Sequence, residues 1–313
     1  MCQFSCPIRF FHWHDVGVVA LPSSLTDRVE LVRQSLAEAL QQRVIGDNAE
    51  AKRNSIMFAE GPRWFSLDRP IHHVHSDASM FIGGMRALLL QSLHPLAMAG
   101  VAQHSDYRND PWGRLQRTAD FLAVTTFGPA DLAQLTIDRI KAVHRTVVGT
   151  ASDGRAYAAS DPHLLRWVHI AEVDSFLRAH QTYGAQPLTK AEADGYVEDM
   201  AVIARALDVP APPVSVRGLR DQLAMFRPEL KSTKEARDVA RYLLIEPPID
   251  LAARVPYSLI AAAAVATLPV WARADLRLPY LPVTERAIVR PIGNAIASTL
   301  RWATAINVPT SDD

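Results

Sequence analysis

Imidazole, guanidinium and hydroxyl side chains crowd into one stretch of this chain, residues 80–169, whose other members are largely apolar. Arg86 and His94 stand eight residues apart, about two helical turns, so they share similar faces of one helix. Pro95 removes a backbone hydrogen bond beside His94 and should kink that helix, opening room for a ligand. A histidine donating to a core carbonyl is the alternative. Arg114, Arg117 and Thr118 follow the i, i+3, i+4 rule, which gathers two fixed cations and a hydroxyl on one side. Such a face suits a carboxylate or a polar oxygen ligand that needs donors; a solvated charged face is the competing account. His144 lies among Ile137, Ile140, Val143 and Val147, and His169 among Leu165, Trp167, Val168 and Val173. Either imidazole could ligate a metal or serve the core as a structural histidine. The run His72, His73, His75 looks metal-like, but it sits in a loop containing Pro and Asp and lacks carboxylates at helical spacing, so a structural or adventitious use is expected. His104, at a helix end, complements the macrodipole.

The elements that must hold these groups are helices. Apolar residues recur three and four apart over residues 26–43, 77–104, 113–127, 130–148, 162–183 and 189–207, and few segments compete as strands. Thr26 or Asp27, Asp161 with Pro162, and Thr189 with Glu192 supply start signals. Asn109-Asp110-Pro111, Phe127-Gly128-Pro129, Ser152-Asp153-Gly154, Tyr183-Gly184 and the prolines 210, 212 and 213 punctuate the ends. Further helices follow over 215–225, 234–244, 251–268 and 284–303, with a frayed acidic tail at 310–313. The segment 77–104 is apolar on almost every side, so it should run through the middle of the fold. The expectation is a single large all-α domain around a buried central helix, globin-like in general character.

Composition narrows the function. An apolar fraction of 49% and a charged fraction of 21% belong to a folded globular chain and exclude disorder except at the ends. Lys plus Arg equals Asp plus Glu at 33 each, so no global field draws the protein to nucleic acid. Cys2 and Cys6, the only cysteines, cannot make a disulfide framework, and a reducing cytoplasm is the default. The first twenty or so residues do not read as a signal peptide, because His12, His14 and Asp15 interrupt their apolar patches. Residues 255–272 are uncharged for about the length of a membrane span, but they are Ala-rich and broken by Pro269, which favours a buried helix and leaves peripheral membrane contact open. Patterns for dinucleotide, phosphate-loop, esterase-elbow and zinc-protease sites are missing from the chain.

Several of these motifs, taken in order, resemble the MpaB-type oxygenase domain, the family of the bacterial rubber oxygenase called latex clearing protein. They are residues 84–95 (GMRALLLQSLHP), 113–118 (GRLQRT), 143–149 (VHRTVVG), and Tyr157 with 161–169 (DPHLLRWVH). The resemblance covers roughly residues 60–230. It implies an N-terminal extension and first helix over 1–60, an oxygenase-like catalytic core over 61–230, and C-terminal helices packed on that core over 231–313. It further implies a helical fold enclosing a b-type haem that acts with dioxygen on a carbon–carbon double bond. On this resemblance the axial ligand falls on His144, with His169 as the rival. Arg114 and Thr118 fall on the distal donors, and Arg86 and His94 lie near the cofactor. Arg117 departs from the family's rubber oxygenase, which has a lysine there; arginine stays protonated and cannot bind iron, so the sixth position should be open or hold water. Apolar pocket walls and zero net charge point to a hydrophobic alkene, terpenoid or lipid-like substrate.

Two other readings stand beside this one. His94, His144 and His169 could jointly bind a non-haem metal. Alternatively, the chain could be a non-catalytic helical lipid- or ligand-binding protein.

Overall fold

The computed structural model describes residues 23–44, 46 and 49–304. Cys2, Cys6, the N-terminal apolar patches and the 310–313 tail lie outside the described residues. The first helices are Ser23–Val44 (α1), Ala49–Met57 (α2), Pro70–His75 (α3), Ser79–Gln91 (α4), Pro95–His104 (α5), Pro111–Phe127 (α6) and Ala130–Thr146 (α7). An antiparallel hairpin, Val148–Thr150 (β1) and Ala156–Ala158 (β2), pairs Gly149 with Tyr157. Then come Pro162–Tyr183 (α8), Lys190–Ala206 (α9), Val216–Phe226 (α10), Lys234–Leu244 (α11), Leu251–Thr267 (α12) and Val270–Leu276 (α13). The chain closes with Pro282–Thr284 (α14), a π-helical turn Glu285–Val289, and Arg290–Thr304 (α15). The fold is all-α, as its periodicity requires.

Local chemistry sets most boundaries. Asp110 Oδ1 accepts from Gly113 N at 2.9 Å and caps α6, while Asp161 Oδ1 accepts from His163 N at 2.8 Å and caps α8. Thr189 and Glu192 form the reciprocal capping box, at 3.3 and 2.8 Å. Proline at the first turn of α3, α5, α6 and α8 begins each helix without losing an intrahelical bond.

The core is built on α4 and α8. Gly83 permits their close approach: a Cβ there would lie 2.6 Å from Phe176 Cδ1 and 3.2 Å from its Cα. Ile82, Leu89, Leu90, Trp167, Ile170 and Val173 pack around that contact. Trp167 Nε1 donates to Gln91 O at 3.1 Å, and buried Arg86 ties α4 to Asp174 and Ser175, both bonds at 2.6 Å. Arg86 Nε also reaches Thr267 O at 3.1 Å, satisfying a carbonyl at the end of α12. Helices α6 and α7 make a separate antiparallel pair across Gly128-Pro129, flanked by α1 and α3.

Four expectations change. The segment 77–104 is two helices, because the residue before a proline is pushed out of the α region and His94 adopts φ −87°, ψ 114°. The His72–His75 run belongs to α3 and not to a loop. Residues 148–158 form a hairpin. Residues 284–303 are split by a π turn. No single helix among the described residues is long and apolar enough to cross a membrane; within the apolar 255–272 run, α12 and α13 bend by 120°.

Candidate functional site

Counted from the Gly128-Pro129 turn, Arg114 and His144 lie at nearly the same level of the α6–α7 hairpin. Arg114 turns inward, with Nη1 donating to Ser105 Oγ at 2.6 Å, and burial pulls its ionisation downward. His144 is half-buried, its ring makes no hydrogen bond to the described residues, and burial holds its pKa below the usual value. Arg117 and Thr118 do not converge with Arg114. Arg117 is 69% exposed and pairs with the cap residue Asp110 at 3.1 Å. The Thr118 hydroxyl is exposed and donates back to Arg114 O at 3.0 Å. Helical spacing places the three on one side, but the cap draws Arg117 outward.

A second polar group lies inside, on the face of α8 that carries His169, Glu172 and Phe176. His169 is 9% exposed, and its Nε2 is buried with no partner. Burial pushes this imidazole down to about 4 and the Glu172 carboxyl up to about 7, so near neutrality the ring is neutral and the carboxyl half-protonated. On the Phe176 side, His75 places Nδ1 2.7 Å from Thr126 Oγ1 and Nε2 3.2 Å from Tyr196 OH. Burial lowers His75 to about 3, and burial with the Glu172 and Asp199 charges drives the Tyr196 phenol well up. Sequence reasoning missed Glu172, and it noted His75 only within the His72–His75 run, as a structural or adventitious histidine. The i, i+3 spacing of His169 and Glu172 was the available signal for the first.

Arg86 and His94 stand apart from these groups. The guanidinium of Arg86 is taken up by Asp174, Ser175 and Thr267. His94 is 1% exposed at the α4–α5 break, and its Nδ1 accepts from Ala97 N at 3.4 Å. Its Nε2 faces Glu229 at 3.5 Å, too long for a well-formed hydrogen bond. His163 Nε2 lies 2.8 Å from the same carboxylate. Among the described residues, His94, His163 and Glu229 are one group that could hold a metal, with ligand atoms within 4.8 Å of one another. With Nδ1 accepting from Ala97 N, the His94 proton would sit on Nε2, and a metal bound at Nε2 would require it to move. His163 and Glu229 had no helical-spacing signal, since three distant segments meet at this point.

The family described as "ER-bound oxygenase mpaB/B'/Rubber oxygenase, catalytic domain" matches residues 72–303. Two uncharacterised proteins, from Mycobacterium bovis and Mycobacterium tuberculosis, are each 35% identical over 101 residues. That alignment covers 32% of this chain and 39% of the length of each relative. No solved structure matches the chain. A family match running from α3 to α15, over a helical fold that carries the quoted motifs in order, makes this chain a member of the mpaB/rubber oxygenase catalytic-domain family, and so of a family of oxygenases.

Proposed function

We propose that this protein is a haem b-dependent oxygenase that uses dioxygen on a hydrophobic alkene, terpenoid or lipid-like substrate. The observation that carries the reading is the unpartnered buried imidazole of His169 in an oxygenase-family fold. A buried ring nitrogen without a bond costs about 1–3 kcal/mol, and an axial metal bond would remove that penalty. The residues suit haem. Two imidazoles, His144 and His169, are held neutral by burial, as an iron ligand requires. Arg114 keeps free N–H groups for a carboxylate, and Phe121 and Leu122 supply apolar surface on the same helix. Bound haem would supply the dioxygen chemistry; His144 or His169 would hold it through a ring nitrogen and Arg114 would offer a cationic donor. His144 is the ligand the resemblance favours, and the orphan nitrogen argues for His169. Arg117, charged and turned to solvent, would not serve as a nitrogen ligand to bound iron.

The test is to express the protein with ample haem and record absorption spectra before and after reduction, for wild type, His144→Ala and His169→Ala. A Soret band that one of the two variants loses supports the reading and assigns the ligand. Unchanged haem content and oxygen consumption in both variants would sink it, in favour of a ligand-binding protein. A non-haem metal centre is the second reading, and geometry favours His94 with His163 and Glu229 over His94 with His144 and His169. Stoichiometric metal by elemental analysis without a Soret band would support that centre.

A further inference from the structure

On the far side of α8 from His169, a cleft of about 920 Å³ opens between α8, α10, the α12–α13 bend and residues 280–290. Two carboxylates stand in its wall, and both are already committed. Asp174 bonds Arg86 at 2.6 Å and Glu285 bonds Arg273 at 2.5 Å. Arg227 is paired with Asp275 at 3.0 Å and lies over the Trp271 ring. Four further lining arginines remain: Arg178 from α8, Arg220 from α10, Arg286 from the π turn and Arg290 from α15. All four are exposed, and their guanidinium groups make no ion pair or hydrogen bond with the described residues. In a chain whose charges cancel overall, 33 against 33, this is a local excess of cations gathered from four elements into one concavity.

Unpaired like charges lining a concave protein surface repel one another and focus their field on whatever anion enters. Guanidinium groups present paired N–H donors at the spacing of phosphate oxygens, which suits them to that ion over a simple halide. The same cleft has an apolar side, formed by Leu223, Trp271 and Tyr280, and beside its mouth Leu281 and Val283 are 54% and 79% exposed. We propose that this cleft binds the phosphate group of an amphiphilic ligand, with Arg178, Arg220, Arg286 and Arg290 as its donors and the Trp271–Tyr280 side against its apolar portion. The phosphate can be carried by a soluble ester or by a lipid headgroup. Because Asp174 and Arg178 face away from His169 and Glu172 on α8, the proposal does not depend on the haem reading.

The test compares wild type with the Arg286→Glu, Arg290→Glu double variant and with Arg205→Glu, an exposed position on α9. Calorimetry is run with inorganic phosphate, and co-sedimentation with phosphatidylcholine vesicles with and without phosphatidic acid. Wild type is expected to bind at least one phosphate probe, the double variant to bind it about tenfold or more weakly, and Arg205→Glu to stay within about twofold. Saturable binding of inorganic phosphate identifies the soluble source. Binding confined to phosphatidic acid vesicles identifies the headgroup. Binding of neither probe, or equal binding by the double variant, overturns the proposal. Should the double variant fail to fold, phenylglyoxal labelling of wild type decides: whichever probe binds wild type, inorganic phosphate or phosphatidic acid vesicles, is expected to protect Arg178 and Arg220, and absence of protection by that probe overturns it.

Discussion

Acidification should unfold this protein from the inside, and the size of the effect follows from three groups, one buried and two partly buried. In the unfolded chain His75 and His169 take up protons near 6.5, but in the fold burial holds them at about 3 and about 4. Between those values the unfolded state binds more protons, so each ring withdraws about 1.4 kcal/mol of stability per pH unit as pH falls below 6.5. Glu172 has the opposite sign. Its folded carboxyl keeps a proton up to about 7 against 4.5 unfolded, so it contributes about 1.4 kcal/mol per pH unit in favour of the fold as pH falls through that window. Two terms against one leave a net loss of about 1.4 kcal/mol per pH unit, or about 2.7 kcal/mol between pH 6.5 and 4.5. His72, His94, His144 and His180 are all displaced downward by burial and add to the loss. Urea unfolding of haem-free protein, followed by tryptophan fluorescence at several pH values, measures the slope directly. His169→Leu should reduce it by about 1.4 kcal/mol per pH unit, and Glu172→Gln should steepen it by a similar amount. Stability that is flat or rises on acidification across this range would refute the assignment of buried neutral imidazoles.

Two further outcomes concern the α4–α8 core. Arg86→Leu removes the partner of half-buried Asp174 and should destabilise the fold by about 3–5 kcal/mol in the same urea assay, since breaking a buried pair strands its other charge; a loss below about 1 kcal/mol would show that the pair is not structural. Gly83→Ala must displace Phe176, so despite the better helix propensity of alanine it should cost about 1–3 kcal/mol; a neutral or stabilised variant would show that α8 can shift.

Where local chemistry decides, the sequence was a good guide. Asp161-Pro162 and Gly184 bound α8 at both ends as expected, and Thr189 with Glu192 formed its box. Pro95 predicted a kink, and the full break at His94 follows from the same residue acting on its predecessor. The β1–β2 hairpin escaped because strands of three residues are too short to show a period, although the turn at Asp153-Gly154 was visible. For the site, spacing found His144 and Arg114 but could not tell which members of an i, i+3, i+4 set turn inward. That choice depends on Ser105 and Asp110, which lie outside the helix face. Longer-range meetings, such as Glu229 with His163 and His94, or Arg86 with Asp174, have no local signature at all.

Helix α8 presents His169, Glu172 and Phe176 to one side and Asp174 and Arg178 to the other, with Trp167 and Ala171 sealed between neighbours. Twelve of its 22 residues are buried, so it has little outward surface on which substitutions could accumulate without consequence. In evolutionary terms such a helix is a shared constraint: residues that suit one flank are filtered by what the other flank requires. Divergence in substrate or ligand preference would then enter through the elements that face α8, on α3 and α9 to one side and residues 280–290 to the other, where one flank alone sets the requirement.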